Sequence, residues 1–185
     1  MIEESLGRAK IIFVGGIHGV GKSTICAQVC SGFGIEHLVA GELIRAQRNA
    51  PPSKTKVVSG VGENQDLLVQ ALRGVLKGGQ TYLLDGHFAL LTANGVITDI
   101  PVDTFQAIAP VGVALVFGDP ERIAARLSSR DGNAYDVALL RSLQERERAH
   151  GLQVCDSLRV KPKLIDMDSC TDPRQELQEI ASGWV

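Results

Sequence analysis

Several things are missing from this 185-residue chain, and each absence removes a class of protein. No stretch stays apolar for the roughly 20 residues that a membrane-spanning helix needs. No secretory leader is evident, so a soluble, cytoplasmic protein without a membrane partner is expected. Cysteine is sparse: Cys26, Cys30, Cys155 and Cys170 form neither a Cys-x-x-Cys pair nor a zinc spacing. They read as reduced thiols, with Cys26 and Cys30 one helical turn apart on a buried face. An excess of positive charge is lacking too. Nineteen Lys and Arg against 21 Asp and Glu leave a net charge of −2. No global basic field draws in nucleic acid, and none is expected as a partner. Internal repeats and low-complexity tails are also absent.

What is present is ordinary globular material, 44% hydrophobic and 22% charged, at a length that suits one domain over 1–185. Strand-like and helix-like segments alternate, the pattern of an α/β fold with a parallel sheet. The strand candidates are Lys10–Gly15, Glu36–Ala40, Thr81–Asp85, Val111–Phe117 and Lys163–Met167. Between them, Leu67, Leu68, Ala71, Leu72, Val75 and Leu76 repeat at helical spacing before Gly78-Gly79. Asp119-Pro120 and Asp172-Pro173 each place an N-cap before a proline at the first helical position. A long polar-faced helix is expected over Tyr135–His150, closed by Gly151. Arg48–Gly62, rich in Pro, Ser, Lys and Gly, reads as a mobile loop.

The most specific signal is Gly16-Ile17-His18-Gly19-Val20-Gly21-Lys22-Ser23-Thr24, between an apolar strand and a helix start. This is a phosphate-binding loop in its required context. Gly16, Gly19, Val20, Gly21 and Thr24 shape a backbone whose N–H groups turn inward around a phosphate. Lys22 reaches the β/γ-phosphate oxygens and the Ser23 hydroxyl ligates Mg²⁺, so ATP with Mg²⁺ is the expected pair.

A second segment, His37-Leu38-Val39-Ala40-Gly41-Glu42-Leu43-Ile44-Arg45-Ala46, resembles the second-strand-to-helix segment of nucleoside monophosphate kinases. Adenylate kinases carry Thr/Ser-Gly-Asp-Leu/Met-Leu-Arg there; this chain departs at Ala40 and Glu42. Tyr82-Leu83-Leu84-Asp85-Gly86-His87 is similar to the Leu-Leu-Asp-Gly run that ends their third strand. The usual continuation is Phe-Pro-Arg, and His87-Phe88-Ala89 resembles archaeal-type adenylate kinases instead. Gln144-Glu145-Arg146-Glu147-Arg148-Ala149 resembles the Gln-Glu-x-x-Arg-Ala run of that same type.

The resemblance covers about Lys10 to Met167 and implies a three-layer α/β/α sandwich around a five-stranded parallel sheet, of the P-loop nucleotide kinase kind. It implies a nucleotide kinase acting on a small-molecule nucleotide. Arg45 would hold the acceptor's phosphate, with Gly41 and His87 also contacting the acceptor, in an acceptor segment of about 41–76. Asp85 would hold the Mg²⁺ shell with Ser23. Arg122, Arg126 and Arg130 share one helix face before a short lid of about 128–135. Arg126 and Arg130 would join Lys22 in balancing charge on the transferring phosphoryl. Arg148, on a face with Arg141 and Glu145, would reach the phosphates from the long helix. Two alternatives stay open. One is a kinase of hydroxyl acceptors with Asp85 as base; the other is an ATP-dependent switch protein whose moving part is Arg48–Gly62.

Overall fold

The computed structural model describes residues 8–49 and 61–183. Its centre is strand β1 (Lys10–Gly15), buried along nearly its whole length. In KIIFVG successive side chains point to opposite faces, and both faces are covered. Ile12 and Val14 join one core with Ile25, Val29, Ile165, Leu177 and Ala181. Ile11 and Phe13 join the other, with Leu68, Leu72, Phe105, Ile108 and Val154. Helices α1 (Lys22–Phe33) and α7 (Pro173–Ser182) cover the first face. Helices α3 (Val61–Val75), α4 (Val102–Ile108) and the C-terminal half of α6 (Val137–Leu158) cover the second.

β1 lies between β3 (Thr81–Gly86) and β6 (Gly112–Phe117), and β2 (Glu36–Val39) and β7 (Pro162–Asp166) form the edges. The five strands are all parallel, in the order β2-β3-β1-β6-β7. The expected five-stranded sheet is therefore present. Its strand order reverses direction at β1, so the C-terminal end of β1 opens a crevice where such sheets bind ligands.

Helices α2 (Ala40–Asn49) and α5 (Pro120–Asp131) complete the helical set among the described residues. The Asp-Pro starts behave as expected. Asp119 accepts the N–H of Glu121, and Asp172 those of Arg174 and Gln175.

Three expectations change. The helix expected to stop at Gly151 continues to Leu158. A Cβ on Gly151 would come within 2.5 Å of Leu115 Cδ2, so this glycine serves a close helix–sheet approach rather than a cap. Of the loop expected over Arg48–Gly62, Arg48 and Asn49 belong to α2 and Val61 and Gly62 to α3, and 50–60 lie outside the described residues. An antiparallel hairpin of β4 (Ala89–Leu91) and β5 (Ile97–Asp99), not expected, follows β3. The long helix α6 holds the hairpin through Arg146 on Asp99, and His150 Nε2 lies 2.7 Å from the Ile100 carbonyl.

Candidate active site

The loop from β1 into α1 is set by backbone constraint. Gly19 sits at φ 77°, a left-handed conformation, and a Cβ there would meet Leu127 at 2.7 Å. Val20 is fully buried and pins the loop to the core. Lys22, only 5% exposed, donates to the carbonyls of Gly16 (2.7 Å) and Ile17 (3.3 Å). Its ammonium also lies 3.5 Å from Asp85 Oδ1. Asp85 arrives from the C-terminal end of β3, whose register sets it opposite Val14 of β1. Its other oxygen accepts the Ser23 hydroxyl at 2.5 Å, and His37 Nε2 stands 3.9 Å away. Burial pushes the Asp85 carboxyl up, but His37, Lys22 and Ser23 more than offset it and hold it below its ordinary value.

An ionised carboxylate beside a serine hydroxyl is a hard, all-oxygen donor set, the kind Mg²⁺ takes through one or two protein ligands plus water and phosphate. The residues present fit that ion. Ser23 and Asp85 would hold it.

A single cleft of about 530 Å³ gathers most of the expected residues. Gly19, Gly21, Lys22, Ser23 and Thr24 form its floor, with Asp85 and His87 at the end of β3. Gly41 and Arg45 line it from α2, and Arg126 and Arg130 from α5. Arg45 and Arg126 pair with no carboxylate among the described residues. Arg122 is engaged by Asp168 (2.6 Å) and Arg130 by its neighbour Asp131 (2.6 Å). Gly16 does not line the cleft; it serves through its backbone. Arg148 is also outside it. Its guanidinium lies 4.5 Å over the Phe117 ring, a cation–π contact at the end of β6. α5 reaches Asp131, so the lid-like turn that follows begins at Gly132.

Sequence reading did not single out Glu147, and the site depends on it. This carboxylate, 2% exposed, accepts three backbone N–H groups: Gly16 (2.9 Å), Phe88 (2.8 Å) and Ala89 (2.5 Å). It thereby ties the start of the phosphate loop to the turn that carries His87. Phe88 anchors the same turn, its ring 4.9 Å from both Phe13 and Phe105. A signal for Glu147 did exist. Leu140, Leu143, Glu147, Gly151 and Val154 form one helical stripe, and a glutamate within an apolar stripe marks a buried acceptor. Gln144, one turn earlier, clamps Gly118 from both sides, donating to its carbonyl and accepting its N–H.

His87 Nδ1 and Glu147 Oε1 stand 3.9 Å apart. Burial disfavours charge on both. It pushes His87 down to about 3, helped by Lys22 and His18. It pushes Glu147 up to about 7 against the pull of the three backbone N–H groups. Their effects on stability have opposite sign. The depressed His87 stabilises the fold above pH 6.5 and loses that contribution as pH falls toward 3, because the unfolded chain takes up the proton first. The raised Glu147 favours the fold below pH 4.5, and that contribution is lost as pH rises to 7. Between 4.5 and 6.5 the two slopes oppose each other. Thermal unfolding of His87→Asn is expected to show stability falling with pH across this window by about 3 kcal/mol. Glu147→Gln is expected to show the reverse, and the unsubstituted protein little slope. Slopes of the same sign in both variants would refute this account.

Strand, loop, helix and sheet order together define an α/β P-loop NTPase fold. The chain belongs to the AAA domain family, whose model matches residues 15–144. Adenylate kinase isoenzyme 1 of Rattus norvegicus is 33% identical over 95 residues, 46% of this chain and 49% of its own. Adenylate kinase 1 of Schistosoma mansoni is 33% identical over 93 residues, 49% and 47%. The chain thus spans about half the length of the known relatives it matches. Among solved structures, a gluconokinase from Sinorhizobium meliloti 1021 superposes with a TM-score of 0.54 at 14% identity, over 94% of both chains. Thymidylate kinase from Candida albicans gives 0.54 at 13%, over 95% of this chain and 92% of that one. At such identities the likeness is one of fold. Among the described residues no helix is long and apolar enough to cross a membrane.

Proposed function

We propose that the protein is an ATP-dependent phosphotransferase of the nucleotide kinase type, moving the γ-phosphoryl of Mg·ATP onto the phosphate of a nucleoside monophosphate. One observation carries the reading. Cations from three separate elements, Lys22, Arg45 and the Arg126/Arg130 pair, converge on a single cleft beside the phosphate loop. A protein that only hydrolysed or sensed ATP has no use for a free guanidinium on the acceptor side. The partial likeness to adenylate kinases points the same way. The Asp85-Gly86-His87 turn and the Gln144–Ala149 run ally the chain with the archaeal type.

The loop N–H groups and Lys22 hold the donor's β- and γ-phosphates, and Arg45 grips the acceptor's phosphate with its planar fork. Ser23 and Asp85 would hold Mg²⁺, which would supply charge neutralisation for the transferring phosphoryl group. Arg126 and Arg130 approach from α5 and stabilise charge on the transferring group. No general base is required, because a phosphate monoester is already ionised near neutral pH. The hydroxyl-acceptor alternative needs Asp85 as that base. A carboxylate held below its ordinary value, with its oxygens engaged by Ser23 and Lys22, is a weak one.

The test is ADP release from Mg·ATP against a panel of ribo- and deoxynucleoside monophosphates. Stimulation by one of them, with its diphosphate recovered, is the expected result. A flat panel over slow background hydrolysis would defeat the reading.

A further inference from the structure

Helix α6 carries a stripe that the cleft does not use. Glu145, Arg148, Leu152, Asp156 and, at the helix's C-cap, Arg159 follow one another at steps of three and four, so they share one face. All five are exposed, and Leu152 keeps 41% of its surface in solvent. Charges elsewhere find partners. Arg146, on another face of α6, grips Asp99, and Lys163 grips Glu176 and Glu179 of α7. Among the described residues the four charges of the stripe form no ion pair; Arg148 rests over Phe117. Beside the stripe, β7 is an edge strand on which Leu164 is 43% exposed. Leu164 pairs with Leu115 of β6, the residue that Gly151 approaches, so it lies on the sheet face that α6 covers, one strand outward. An open groove of about 450 Å³ runs between the end of α6 and the start of β7, lined by Leu152, Asp156, Lys161 and Pro162 among others.

The order of the charges limits what covers this face. About Leu152 the stripe is antisymmetric: Arg148 and Asp156 stand four residues to either side, Glu145 and Arg159 seven. An identical helix running antiparallel, with Leu152 against its counterpart, meets opposite charge at every position. Glu145 faces Arg159 and Arg148 faces Asp156, each pair occurring twice. No other two-fold alignment does this. A parallel helix sets each charge on its own copy, and moving the axis by one turn sets Arg148 or Asp156 on itself. We propose that a second copy of this chain docks here, α6 antiparallel to α6 about a two-fold axis at Leu152. Such a contact is isologous, one surface serving both partners. The charge pairs fix register and orientation, while Leu152, with Leu164 and the groove at its flank, supplies the apolar centre. The overlap from Glu145 to Arg159 is about 20 Å long, and Arg141 falls beyond it. None of these residues lines the cleft, so the inference stands apart from the identity of the acceptor.

Sedimentation velocity of the full chain over a concentration series tests it. One helix face makes a small interface, so a dimer with a dissociation constant of about 1–100 µM is expected. Arg159→Glu sets like charges against each other at both ends and is expected to weaken the dimer at least about 10-fold. Glu145→Arg combined with Arg159→Glu exchanges the signs and is expected to restore it to within about threefold. A merely structural effect of either substitution would not be reversed in this way. Leu152→Glu places two like charges on the axis and is expected to leave monomer alone. All three positions are exposed, so each variant is expected to fold, with an unaltered far-UV spectrum as the check. Monomer at every concentration up to about 1 mM would overturn the proposal. So would a dimer that Arg159→Glu and Leu152→Glu both leave intact, since it would lie on another face. A dimer that Arg159→Glu weakens and the charge exchange fails to restore would overturn it too.

Discussion

Lys22→Ala is expected to cut phosphoryl transfer by on the order of 10³-fold or more. The ammonium is buried and anchored on the Gly16 and Ile17 carbonyls, and in the proposed reaction it holds the β- and γ-phosphates. A unit charge about 4 Å from a developing negative charge, at an effective dielectric near 20, contributes about 4 kcal/mol. That corresponds to about three decades in rate. The variant also leaves Asp85 without its cation, and breaking a buried pair costs about 3–5 kcal/mol of stability. Loss of activity alone would therefore be ambiguous. The melting curve of Lys22→Ala separates the causes: a variant still folded at the assay temperature, with its far-UV spectrum unchanged, is expected to be inactive all the same. A Lys22→Ala protein that transferred phosphoryl groups at the normal rate would remove the loop from the chemistry.

The parts of this site that were legible in sequence are those in which a short segment carries its own geometry. The phosphate loop is nine contiguous residues between a strand and a helix, and nothing distant is needed to read it. Gly41 and Arg45 lie four apart on one helix, as do Arg126 and Arg130, so each pair shares a face by helical spacing alone. The Asp-Pro helix starts are equally local.

What escaped is built from distant partners. Glu147 meets Gly16 across 131 residues, and no spacing rule joins them. The hairpin was missed for a different reason. Its strands are three residues each, too short for alternation to register, although Asn94-Gly95 is a hairpin signal. Gly151 shows that one residue type has two uses. At a helix end it caps; in mid-helix it admits Leu115 and Phe88. Arg148 marks the limit of face arguments. Helical spacing set it beside Arg141 and Glu145, but Phe117 holds its guanidinium away from the cleft.

Arg45→Ala is expected to raise the KM for the acceptor about 100-fold while moving that for Mg·ATP no more than about twofold. The contrast follows from position. Arg45 lines the cleft from α2, whereas the loop that holds the donor follows β1 and runs into α1. Among the described residues it forms no ion pair, so its fork is available to an incoming dianion. Two charge-assisted hydrogen bonds of about 1.5 kcal/mol each account for the hundredfold loss. Arg45→Lys is expected to recover only part of it, since an ammonium restores the charge but not the planar two-point grip. Arg45 is exposed, so neither variant is expected to change stability by more than about 0.5 kcal/mol, and reduced affinity cannot be assigned to misfolding. Equal loss of acceptor and Mg·ATP affinity would move Arg45 out of the acceptor site. Normal acceptor use in Arg45→Ala together with collapse in Arg126→Ala would shift the phosphate grip to α5, reversing the two sides of the cleft.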